Sequence, residues 1–102
     1  MTVIPMMKPP NKREAQDIIR KLAAEGQVFF HPHIRKAKRR KITTLQILNC
    51  LKKGQVDEEP TQNFSHKGWQ TAIVAQIAGA RLRVVVCLRW SQDALVITAY
   101  YD

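Results

Sequence analysis

Apolar and polar positions are most regular in the last third of the chain. Residues 69–101 read WQTAIVAQI, AGA, RLRVVVCLRW, SQD and ALVITAYY. Three runs rich in Val and Ile, parted by short breaks, predict an antiparallel meander. Gly79-Ala80 suits a two-residue type II′ turn with glycine first, and Ser91-Gln92-Asp93 suits a slightly longer one. In the middle run Leu82, Val84, Val86, Leu88 and Trp90 alternate with Arg81, Arg83, Val85, Cys87 and Arg89. The first set reads as a core face. A turn at Gly79-Ala80 sets Ala78 opposite Arg81, and Gln70 and Gln76 then share a face with Arg81, Arg83 and Arg89. Antiparallel sheets commonly leave one face in water, and such a face has the same pattern.

Upstream, the period changes to that of helices. Residues 1–11 (MTVIPMMKPPN) hold three prolines and read as an extended arm ending in Asn11, a helix cap. Ala15, Ile18, Ile19 and Leu22 stand at helical spacing over about Lys12 to Glu25, with Gly26 as the stop. Gln27 to His31 is a short strand candidate, closed by Pro32. His33 to Lys41 (HIRKAKRRK) allows a helical turn or two with Ile34 and Ala37 inward. Thr43 or Thr44 can cap a helix from about Thr44 to Lys53, in which Leu45, Ile47, Leu48 and Leu51 are apolar and Gly54 is the terminator. Gln55 to Glu59 is a weak strand, and Thr61 to Gly68 is a loop into the meander. Helices first and strands afterwards make an α+β fold: N-terminal helices packed on a small antiparallel sheet, in a single domain over residues 1–102.

Composition narrows the partners. Seventeen Lys and Arg against eight Asp and Glu give a formal net charge of +9 on 102 residues. In a small domain that imbalance favours a polyanion, most often nucleic acid. The strongest local feature is the run Arg35, Lys36, Lys38, Arg39, Arg40 and Lys41, too dense in cations to neutralise itself and suited to salt-dependent phosphate contact. No apolar run approaches the length of a transmembrane helix, and residues 1–11 lack a signal-peptide core, so the expected setting is cytoplasmic, with no membrane partner. Cys50 and Cys87 fall within apolar patterns and read as buried, reduced thiols.

The chemistry that fits is limited. The chain has no nucleophile elbow, no phosphate-binding loop and no dinucleotide glycine pattern. His31, His33 and His66 are each of the residue type that exchanges protons near neutral pH. Cleavage of RNA remains, because RNA carries its own nucleophile, the 2′-hydroxyl. The protein then needs a base for that proton, a cation for the pentacoordinate phosphate and an acid for the leaving oxygen. Arg81, Arg83 and the basic run can supply the cation, and Tyr100, Glu58 or a histidine can move protons. No cofactor or metal is called for.

Several pieces, in this order, carry a resemblance: KLAAEGQV, HIRKAKRRKIT with its His33-to-Lys36 helix start, LQILNCLKKGQV, the GWQ that opens the meander, and LVITAYYD. From about Lys12 to Asp102 the chain resembles the RelE/ParE superfamily of small bacterial toxins, nearest to the MqsR-like branch and a related uncharacterised family. The resemblance implies the toxin of a type II toxin–antitoxin system. Such a toxin is an endoribonuclease, or mRNA interferase, that cuts mRNA free or on the ribosome, inhibits translation and is held by a cognate antitoxin protein. Residue by residue, it implies an active-site role for Gln70 of the Trp69-Gln70 pair. The position of a family tyrosine falls near Arg81 or Arg83, depending on a one-residue gap, that of a C-terminal lysine on Tyr100, and that of another lysine near Glu58. The last is a charge reversal, although some RelE-like relatives use glutamate as a base. RNA contacts are expected from His33, Arg35, Lys36, Arg39, Arg40 and Lys41, and from His66 and Lys67 in the loop before the meander.

One register stays open. A two-residue turn at Gln92-Asp93 pairs Arg89 with Val96 and puts Tyr100 on the arginine face. A three-residue turn pairs Arg89 with Leu95 and puts Tyr101 there instead. Leu95, Ile97 and Ala99 form the more apolar face, which assigns them to the core and Tyr100 to the arginines. Two other functions fit the same residues: a RelE-like module that holds RNA or an acidic protein without chemistry, and a ParE-like inhibitor of gyrase.

Overall fold

The computed structural model describes residues 4–102. Helix α1 (Lys12–Ala24) begins in a capping box: the Asn11 side chain accepts from the Glu14 N–H, and the Glu14 carboxylate accepts from the Asn11 N–H. It buries Ala15, Ile18, Ile19, Leu22 and Ala23. Strand β1 (Val28–Phe30) follows, then a 3₁₀ turn (Pro32–Ile34) and a short helix α2 (Arg35–Arg39). Helix α3 (Thr44–Lys53) has a second capping box, between Thr43 and Gln46. Leu45 of this helix is 67% exposed, while Ile47, Cys50 and Leu51 face the core.

The rest is sheet: β2 (Gln55–Val56), β3 (Thr61–Asn63), β4 (Gly68–Ile77), β5 (Ala80–Arg89) and β6 (Asp93–Tyr101). The order is β1-β6-β5-β4-β2, with β3 also pairing β4. Segment 61–63, expected as loop, is a strand that pairs antiparallel with residues 68–70 of β4. The sheet is mixed rather than wholly antiparallel, because β1 adds to β6 in parallel, Phe29 opposite Leu95. Helices α1 and α3 cover one face. Leu82, Val84, Val86 and Leu88 of β5 are fully buried on it, in one core cluster with Ile19, Ile47 and Leu51.

Two registers differ from expectation. The first hairpin turns at Ala78-Gly79, with Ile77 opposite Ala80. Both turn residues have positive φ, 53° and 80°, which is the type I′ pattern. Gln76 therefore faces Arg81 and Gln70 faces Cys87. The slip is two residues, so every side chain keeps its expected face. In the second hairpin Arg89 pairs with Asp93, not Val96 or Leu95. A bulge then lets Val86 pair with Val96 but Val85 with Thr98, so Ile97 is the surplus residue. Ala94 and Val96 before the bulge and Ala99 after it are all fully buried in the core cluster. Of the expected core set Leu95, Ile97 and Ala99, Ala99 is in the core cluster and Leu95 and Ile97 are not, because the bulge reverses the alternation at Ile97.

The N-terminal arm is docked. Ile4 is 2% exposed within the core cluster. Its N–H donates to Gln92 Oε1 (2.6 Å) and its carbonyl accepts from Gln92 Nε2 (3.1 Å). The Trp69 indole N–H donates to the Pro5 carbonyl. The part of the expected arm at residues 1–3 lies outside the described residues. Among the described residues, no helix is long and apolar enough to cross a membrane.

Candidate functional site

The sheet face away from α1 and α3 carries the charged residues. Its rows follow from the register: Gln76 and Arg81; Val74, Arg83 and Tyr100; Ala72, Val85 and Thr98; Gln70, Cys87 and Leu95; and Arg89 with Asp93. Alternation along β1 adds Phe29, opposite Leu95, with the Arg89 guanidinium 5.5 Å from the centre of its ring.

At one end of this face Arg81 and Arg83 are not the free cations expected. Arg83 donates to Asp57 Oδ2 (2.6 Å) and Asp102 Oδ2 (3.0 Å). Arg81 Nε lies 3.1 Å from the same Asp102 oxygen. Backbone bonds bring both carboxylates there: the Asp57 N–H donates to the Ala72 carbonyl and the Asp102 N–H to that of Arg81. The Arg83 hydrogen bond holds the Asp57 carboxyl below its usual range. Hydrogen bonds to Asp102 and Asp57 in turn push the Arg83 pKa up. Glu58 reaches the edge of the cluster, 3.9 Å from Arg83, with its side chain 59% exposed. Tyr100 stands directly opposite Arg83, and the Arg40 guanidinium lies 6.0 Å from the centre of its ring. Arg40 is placed by its own bond to the Ala99 carbonyl (3.1 Å).

The other end gathers all three histidines of the chain. His31 caps the 3₁₀ turn, its Nδ1 accepting from the His33 N–H (3.1 Å). The His33 ring packs edge-on against it at 4.6 Å between centres, and the His66 ring at 5.0 Å. His66 arrives from the β3–β4 turn, although β5 and β6 lie between β4 and β1 in the sheet. A relay holds that turn: Gln70 Oε1 accepts from Asn63 Nδ2 (2.7 Å), and Asn63 Oδ1 accepts from the His66 N–H (3.0 Å). Lys67 closes it in the left-handed region, φ 56°, its carbonyl accepting from the Trp90 N–H. Desolvation, with the neighbouring His33 and His66, lowers the His31 pKa. Beside the cluster is a depression of about 310 Å³ lined by Ser65, His66, Lys67, Arg89, Trp90 and Ser91.

The site residues expected from sequence thus divide. Arg81, Arg83, Tyr100 and Glu58 come together. Gln70 stands apart from them and supports the histidine turn. Of the RNA-contact set, Arg35, Lys36, Arg39 and Lys41 are exposed on and just after α2, Arg40 bends to Tyr100, and His33, His66 and Lys67 belong to the histidine end. Sequence reading missed Asp57 and Asp102, which sit 26 and 19 positions from Arg83, and Asn63, which looked like part of a plain loop. No local spacing signals contacts of that range.

Cys50 and Cys87 are buried free thiols. Burial pushes them up to about 12 and about 11, outside the range of reactive cysteines. Among the described residues, no group of three or more His, Cys, Asp or Glu is arranged to hold a metal ion.

Among known families, one model matches: a domain of unknown function, DUF4258, over residues 32–101. That span runs from the 3₁₀ turn to the end of β6 and includes Arg81, Arg83, Tyr100, His33 and His66, while His31 and Asp102 fall just outside it. No curated protein matches the chain.

Proposed function

We propose that this chain, which belongs to the DUF4258 family, is an endoribonuclease that cuts mRNA by attack of the RNA's own 2′-hydroxyl, and that it is the toxin of a bacterial type II toxin–antitoxin pair. The observation that carries the reading is the Arg83–Tyr100 pair beside Arg40, on an open sheet face edged by the basic run of α2. A phenol between guanidinium groups suits a phosphodiester: the cations attract the phosphate and the hydroxyl can donate to it. The net charge of +9 and the resemblance to RelE/ParE toxins support the same class. In this reading the RNA phosphate competes with Asp57 and Asp102 for Arg83 and Arg81, and the partners are mRNA, free or on the ribosome, and an antitoxin protein in the cytoplasm.

The test is induced expression in bacteria followed by primer extension on total mRNA, comparing wild type with Arg83→Ala and Tyr100→Ala. Growth arrest with discrete new 5′ ends in wild type alone supports the reading. Intact transcripts from a well-folded wild-type protein sink it.

One observation favours a second reading. Both central arginines are already bound to carboxylates, as a face meant for binding without chemistry would tolerate. A module that holds RNA or an acidic protein would show salt-dependent binding and leave RNA whole.

A further inference from the structure

Three imidazoles from two distant parts of the chain share one cluster. In a chain with only three histidines, this is a concentration of proton-carrying groups. Its construction is specific. His31 is fixed by its cap bond to the His33 N–H, and His33 and His66 both rest edge-on against it. The relay Gln70–Asn63 fixes the backbone of His66. Lys67, Arg89, Ser65 and Ser91 line the adjoining depression, although Arg89 and the Ser91 hydroxyl are shared with Asp93. The His31 N–H donates to the Val96 carbonyl (2.8 Å), so His31 is four residues along β6 from Tyr100, on the order of 10 Å. The histidine cluster and the Arg83–Tyr100 pair therefore border one continuous face.

We infer that His33 and His66 are the proton-transfer pair of RNA cleavage, with His31 as the positioning residue that holds them and Lys67 as a phosphate contact. The inference rests on the ribonuclease reading and assigns its acid and base: the phosphate that is cut lies at the histidines and Lys67, and the Arg83–Tyr100 pair holds a neighbouring phosphate of the same strand. One imidazole takes the proton of the 2′-hydroxyl as the O2′–P bond forms. The P–O5′ bond breaks, and the other imidazole gives its proton to the departing 5′ oxygen. The products are a 2′,3′-cyclic phosphate and a 5′-hydroxyl, and atoms and charge balance without a further reactant. His31 suits its role because its Nδ1 is taken up by the bond from the His33 N–H, which fixes the ring.

The test uses the whole chain with a short RNA and with the same oligonucleotide carrying 2′-deoxyribose, which binds but offers no nucleophile. Cleavage and product ends are read on the RNA. Histidine side-chain resonances are read by NMR on the deoxy oligonucleotide. The expected result is cyclic-phosphate ends from wild type and loss of about a hundredfold or more in His33→Gln and in His66→Gln. Affinity for the deoxy oligonucleotide should stay within a few fold in both variants, and the His33 and His66 resonances should move when it binds. Both side chains are at least partly exposed, so folding is expected to survive, and circular dichroism checks it. A substrate with sulfur at the 5′ bridging position needs no acid, so it should restore the variant that lacks the acid and not the one that lacks the base. Wild-type cleavage with both variants unimpaired overturns this inference and spares the ribonuclease. Absence of cleavage by wild type overturns both.

Discussion

Tyr100 faces Arg83 across β5 and β6 because Ile97 is surplus to the ladder. Without a bulge the pairing of Val86 with Val96 would continue as Arg83 with Ala99, and Tyr100 would turn towards the core. One extra residue thus puts Tyr100 on the charged face, opposite the arginine that Asp57 and Asp102 hold.

That arginine ties stability to pH at Asp57. Its carboxyl is held below the ordinary 3.8, chiefly by the Arg83 hydrogen bond. The ionised form is the one favoured in the folded state, so its contribution is complete above 3.8 and fades as pH falls through the lower folded value. Asp57→Asn should be less stable than wild type at pH 7, and the gap should close below pH 3.8. Urea unfolding across that range measures it, and a gap independent of pH would contradict the assignment.

His31 has the opposite chemistry and the same sign. Its charged form is disfavoured in the folded state, mainly by desolvation and then by His33 and His66. The unfolded chain binds the extra proton, so stability falls as pH drops from 6.5 towards the lower folded value. His31→Asn keeps an oxygen to cap the 3₁₀ turn but does not titrate. It should flatten the loss of stability between pH 7 and 5, read as the shift in urea midpoint.

The turn at Ala78-Gly79 carries a correctable strain. Ala78 sits at φ 53°, a region that costs an ordinary L-residue about 1–2 kcal/mol and that asparagine tolerates better. Ala78→Asn creates the Asn-Gly pair preferred in type I′ turns. It should stabilise the protein by about 0.5–1 kcal/mol in chemical denaturation, with no change in the m-value.

Ile4 tests the docking of the arm. It is 2% exposed, and its backbone is clipped to Gln92 in the β5–β6 turn. Ile4→Ala should cost about 2–4 kcal/mol, as for a core isoleucine. A cost near zero would mean that the arm does not contribute to the core in solution.

The local elements of this protein were legible in its sequence because short-range physics decides them. Asn11 and a threonine at 43 or 44 mark two helix starts, and alternation along residues 69–101 marks three strands and assigns the faces of the first two. The arginine face survived an error in the first turn because a two-residue slip preserves the period of two. The placement of Tyr100 beside the arginines was also anticipated, but through a core assignment that the bulge at Ile97 overturned. Tertiary structure alone decided the rest. Nothing near Arg83 in sequence reveals that Asp57 and Asp102 bind it, and nothing near His31 reveals His66. Residues 61–63 have too little apolar character to announce a strand and become one through the free edge of β4. Sequence periodicity records which face a side chain takes. Which groups meet on that face depends on strand order, on loop reach and on one surplus residue, and these exist only once the chain has folded.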